Sequence, residues 1–130
     1  MIKPSFLARS AAALLLTAGC TFSALADDKS PAMLKDGVLV APSGMTLYTF
    51  DKDTPNSGKS ACNGPCAALW PPLMATPADQ PSGPYGIVTR DDGSRQWAYD
   101  GKPVYFYKAD QKPGDRTGDN FKDVWHIIKG

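Results

Sequence analysis

Gly44-Met45-Thr46-Leu47-Tyr48-Thr49-Phe50-Asp51-Lys52-Asp53 returns 57 positions later as Gly101-Lys102-Pro103-Val104-Tyr105-Phe106-Tyr107-Lys108-Ala109-Asp110. Each copy then runs through a Gly-, Asp- and Asn-rich stretch to a tryptophan, Trp70 and Trp125, which lie 22 and 20 residues past their tyrosines. An internal repeat marks a structural unit before it marks any chemistry. Tyr48/Tyr105, Asp53/Asp110 and Trp70/Trp125 are thus the expected frame of the fold. Aligned on the tryptophans, Cys66 faces Phe121 and Pro71 faces His126. Special function is to be sought among such unshared positions.

Outward from the repeat, local signals give short strands and tight turns. Val38-Leu39-Val40, the turn Pro42-Ser43-Gly44 and the strand Leu47 to Phe50 read as a hairpin. Asn63 to Trp70 reads as one short helix with Pro65 in its first turn, stopped by Pro71-Pro72. Pro77, Pro81 and Pro84 mark an extended linker between the halves. Ile87 to Arg90, Asp91-Asp92-Gly93-Ser94 and Arg95 to Tyr99 form a second hairpin. Asp100-Gly101 turns the chain into a third strand at Val104 to Tyr107. Trp125 to Lys129 is a last strand. With no long crossover helix, antiparallel pairing follows. The expected fold is mainly β: one small domain of antiparallel strands and hairpins from two degenerate repeats, with at most one or two short helices.

Composition agrees. All 13 acidic residues are aspartate, a turn and cap former, and there are 12 glycines and 12 prolines, which disfavours long helices. Residues 1–26 read as an export signal: Lys3 and Arg9, the apolar run Ala11 to Ala18, then Ser23-Ala24-Leu25-Ala26 as a cleavage site. A lipobox-like Leu16-Thr17-Ala18-Gly19-Cys20 offers the alternative, with Cys20 lipidated and Thr17 departing from the usual aliphatic residue. Residues 27–36 then form a flexible lead-in, and 37–129 the repeat domain, with repeat 1 at about 37–75 and repeat 2 at about 85–129. Beyond the signal, 12 basic groups face 13 acidic ones, so nothing points to nucleic acid as a partner. A membrane enters only through the N-terminal lipid. The expected compartment is periplasmic or secreted, with a lipid-anchored form if Cys20 is acylated.

Tyr48-x4-Asp53 and Tyr105-x4-Asp110 combine with Cys62/Cys66, Trp70-Pro71-Pro72 and Val124-Trp125-His126. This combination resembles the bacterial secreted-repeat family, whose members carry a Yx(F/W/Y)xxD motif and are described as predicted lipoproteins. The likeness runs from about Gly37 to Lys129. It implies an exported, envelope-associated domain of paired repeats and supplies no activity.

Each candidate chemistry has a structural counterpart. Asp53 and Asp110 are a carboxylate pair on which a glycan hydrolase would rely; as a repeated motif, they read instead as turn caps, each with a tyrosine packed beside it. Cys62-Asn63-Gly64-Pro65-Cys66 carries Gly-Pro before its second cysteine, as thiol-disulfide redox sites do. Its C-x3-C spacing and exported context favour a structural disulfide. His126 is the single histidine, so neither a metal site nor any other cofactor is expected. Trp97, Tyr99, Tyr107 and His126 are the candidate ligand-facing residues, on aromatic and Asp-bearing surfaces suited to sugars or peptides. The expected function is a non-catalytic binding module with an unknown envelope ligand. A redox protein using Cys62/Cys66 is the alternative, and a hydrolase using Asp53/Asp110 the weaker one.

Overall fold

The computed structural model describes residues 30–130, so the export-signal and Cys20 readings lie outside the described residues. Pro31–Gly130 forms one compact unit. Two tight turns share one backbone form. Asp36-Gly37 and Asp100-Gly101 both take positive φ at both residues (54° and 80°, 51° and 83°), the backbone that a tight two-residue hairpin turn requires. The first joins β1 (Met33–Lys35) to β2 (Val38–Val40). The second joins β6 (Arg95–Tyr99) to β7 (Lys102–Pro103).

Three small antiparallel sheets result. β1 pairs β2 with Leu34 opposite Leu39. β3 (Tyr48–Phe50) pairs the last strand, β8 (Trp125–Ile127), with Phe50 opposite Trp125. The third sheet is built on β6: β5 (Tyr85–Thr89) lies along one edge, while β4 (Met74–Ala75) and β7 share the other. The only helix among the described residues is α1 (Pro65–Leu69), where the Asn63–Trp70 stretch predicts it, with Pro65 in its first turn.

Three expectations shift. β1 falls within the stretch read as a lead-in, because Asp36-Gly37 makes the first hairpin between β1 and β2. β2 bridges to the segment just before β3, Val40 opposite Thr46, and the partner of β3 itself comes from the far end of the chain. β4 occupies the proline-rich linker, pairing Met74 and Ala75 with Gln96 and Arg95.

The core divides by chemistry. Leu39, Ala41, Leu47, Trp97 and Val104 build a mostly aliphatic cluster. Tyr48, Trp70, Tyr105, Trp125 and Cys62 build an aromatic one. Between the two copies, Tyr48 and Tyr105 exchange both backbone bonds, N–H to O at 2.8 and 2.9 Å. This exchange is the signature of an approximate two-fold relation between the repeats. The loops obey it too. Gly101 is pressed against Asn56, where a Cβ would lie 2.1 Å from Oδ1, and Gly44 against Pro113, the position 57 residues beyond Asn56.

Candidate functional site

The motif tyrosines and aspartates meet across the two-fold relation. The Tyr48 hydroxyl donates to Asp110 Oδ2, and the Tyr105 hydroxyl donates to Asp53 Oδ2, each at 2.6 Å. Each tyrosine thus uses the carboxylate of the other repeat, not the one five residues on. Both aspartates also cap their own loops: Asp53 Oδ1 accepts from the Ala61 N–H at 2.6 Å, and Asp110 Oδ1 from the Thr117 N–H at 3.0 Å and from the Thr117 hydroxyl. Both phenols are fully buried. Burial, and next the hydrogen-bonded carboxylate, holds their pKa values far above the ordinary tyrosine value. Asp53 is pushed up by burial, against the pull of the Tyr105 hydroxyl, the Ala61 N–H and Arg90.

Between these pairs lies a run of parallel rings. Trp70 stacks on Trp125 at 3.8 Å, and the outer faces are covered by Tyr107 on Trp70 at 4.0 Å and Phe50 on Trp125 at 4.2 Å. Tyr107 and Phe50 hold the same place in the two copies, so the stack is symmetric as well. Cys66 and Phe121 keep their expected equivalence: the carbonyl of each accepts the N–H of the tryptophan four residues on.

The symmetry breaks at one end. Arg90 is buried, at 5% exposure, and among the described residues no carboxylate pairs with its guanidinium. Nη1 donates to Ser60 Oγ (3.1 Å) and Gln96 Oε1 (2.7 Å), while Nη2 donates to the Cys62 carbonyl (2.6 Å) and Asn63 Oδ1 (3.2 Å). Because Tyr105 gives its proton to Asp53, the Ser60 hydroxyl is the donor in its 2.6 Å bond to Tyr105. A buried chain Asp53–Tyr105–Ser60–Arg90–Gln96 follows, ending where Gln96 Nε2 donates to the Val104 carbonyl. It runs beside the Cys62–Cys66 disulfide, whose Cα atoms are 5.2 Å apart. Cys62 is fully buried and Cys66 half-buried.

Among the ligand-facing candidates, Trp97 is buried in the aliphatic core and Tyr107 is a half-buried end of the stack. His126 is half-buried, with Nε2 2.8 Å from Asp51 Oδ2 and Nδ1 3.1 Å from Asn120 Oδ1. Tyr99 lines an open cavity of about 250 Å³ together with Thr49, Asp100, Lys102, Ile127 and Lys129. A second cavity of about 200 Å³ lies by Lys35, Asp36 and Arg116. Asp53 and Asp110 line neither. Among the described residues, no group of three His, Cys, Asp or Glu side chains is placed to hold a metal.

Sequence reasoning missed Ser60, Arg90 and Gln96. One signal was present: Gln96 stands 57 positions beyond Leu39, a polar side chain where the other copy has a fully buried leucine.

Two interlocked copies sharing one aromatic core define a small mainly-β domain that the repeats complete only together. The chain belongs to a family described as a secreted repeat of unknown function, matched at residues 32–74 and 86–129. That membership places it among secreted proteins. No curated protein and no solved structure matches it. Among the described residues, no helix is long and apolar enough to cross a membrane.

Proposed function

We propose that this protein is a non-catalytic binding module of the bacterial envelope, periplasmic or released, and held at a membrane where Cys20 carries lipid. The observation that carries the reading is how the polar groups are spent. The motif carboxylates are consumed inside by phenols and backbone N–H groups, while the Tyr99 cavity opens at the surface with two lysines, an aspartate and a half-buried aromatic ring. An aromatic face beside a few convergent polar groups suits a small polar ligand, such as an acidic envelope sugar. Titrating isotope-labelled protein with soluble muropeptides and uronic-acid oligosaccharides tests this. Amide shifts are expected at Thr49, Tyr99, Lys102 and Lys129, and are abolished in Tyr99→Ala/Lys102→Ala. Saturating ligand that moves none of these amides overturns the site.

A second reading rests on the unequal burial of the disulfide. Cys66 is the more exposed of the two cysteine residues, which makes its sulfur the target offered to an attacking thiolate. Thiol trapping of folded protein across a redox series decides it. Reduction only on unfolding sinks the redox reading.

A further inference from the structure

A core needs apolar volume, and leucines supply it. The aromatic cluster instead gathers two of the three tryptophans and three of the five tyrosines, and gives both fully buried phenols a proton acceptor. Trp70 and Trp125 overlap face to face with an interplanar angle of 2°. Tyr48 stands edge-on to Trp70 at 5.4 Å, and Tyr105 edge-on to Trp125 at 5.1 Å. A phenol that loses an electron becomes a very strong acid, so its oxidation is facile only where the proton has a base waiting. Asp110 Oδ2 and Asp53 Oδ2 are those bases, at 2.6 Å. Half-buried Tyr107 carries one end of the stack to the surface.

We propose that this cluster is a one-electron redox site, storing an oxidising equivalent as a buried tyrosyl radical. The oxidant is a strong one-electron acceptor reaching the Tyr107 end, of the class of peroxide-derived radicals. One electron passes from Tyr105 through Trp125, Trp70 and Tyr107 to the oxidant, and the phenolic proton crosses to Asp53. The products are a neutral tyrosyl radical, a neutral carboxylic acid and the oxidant reduced by one electron. No bond between heavy atoms forms or breaks. A one-electron reductant such as ascorbate returns the electron, and the proton goes back to the phenol. Tyr48 and Asp110 do the same through Trp70. All three fixed positions of the motif are used: the tyrosine is the donor, the aromatic two residues on closes the stack, and the aspartate takes the proton from the opposite repeat. Burial raises the proton affinity of Asp53, which favours this direction of transfer.

Flash photolysis tests this on the whole folded protein, with photogenerated tris-bipyridine ruthenium(III) as oxidant. Transient absorption and electron paramagnetic resonance are expected to show a long-lived tyrosyl radical with a solvent deuterium isotope effect on its formation. The signal persists in Tyr85→Phe/Tyr99→Phe and disappears in Tyr48→Phe/Tyr105→Phe. In a Tyr48→Phe background, Asp53→Asn removes the base and slows radical formation roughly a hundredfold. A full radical yield in Tyr48→Phe/Tyr105→Phe overturns the proposal. If that variant does not fold, the native protein still decides: a radical carrying the hyperfine pattern of solvent-exposed tyrosine, formed without an isotope effect, overturns it equally.

Discussion

The Tyr105–Asp53 and Tyr48–Asp110 pairs share a geometry and differ in what surrounds them. Both phenols donate at 2.6 Å, both carboxylates cap their own loop, and each ring sits edge-on to a stacked tryptophan. Around Asp110 the remaining partners are local, the Thr117 N–H and hydroxyl, with the Gly118 N–H on the Tyr48 oxygen. Around Asp53 the network reaches through Tyr105 and Ser60 to a buried arginine from the other repeat and to the disulfide loop. One arrangement thus tolerates two environments. What the copies share maintains the fold, and what they do not share is concentrated at one end.

Trp125→Ala removes the centre of the symmetric stack and is expected to lower stability by about 4 kcal/mol, as other large-to-small aromatic core changes do; chemical denaturation measures it. Arg90→Met strikes only the asymmetric end. It leaves Ser60 Oγ, Gln96 Oε1 and the Cys62 carbonyl short of a donor, for a loss of about 3 kcal/mol. Replacing both cysteines by alanine opens a five-residue loop, which chain entropy values at about 2 kcal/mol. Tyr105→Phe should cost about 2 kcal/mol and Tyr48→Phe about 1: each leaves a carboxylate and one further donor unpaired, the Ser60 hydroxyl or the Gly118 N–H, but only the former cuts the buried chain that reaches Arg90. Equal losses in those two variants would erase the distinction between the halves.

The smallest effect is a matter of pH. Tyr48 and Tyr105 stay neutral in the folded protein above the pKa of about 10 at which an unfolded tyrosine ionises. Their contribution to stability is therefore complete below about pH 10 and is lost as pH rises beyond it. In an alkaline titration followed by phenolate absorbance, two of the five tyrosines should ionise only with unfolding. Tyr48→Phe should reduce that class to one.

The repeat, the helix at Pro65 and the Asp100-Gly101 turn were legible because each is written in neighbouring residues. β3 against β8 was not, since Phe50 and Trp125 are brought together by the whole fold and each strand alone has only three residues. The motif itself was readable, but its bonding was not. Spacing suggests that Tyr48 serves Asp53, and only the crossing of the copies shows that it serves Asp110. Arg90 read only as the end of a strand before a turn, because most of its acceptors lie about 30 residues upstream in the other copy.

The exchanged bonds also bear on ancestry and assembly. A chain carrying a single copy would have a phenol without its acceptor and a carboxylate without its donor. A second copy related by a two-fold axis satisfies both at once, so the natural closed unit of a lone repeat is a homodimer. Joining two such copies in one polypeptide fixes their ratio at one to one and makes association independent of concentration. It also releases each half from having to match itself, which is the freedom that a disulfide loop on one side and a buried arginine on the other record.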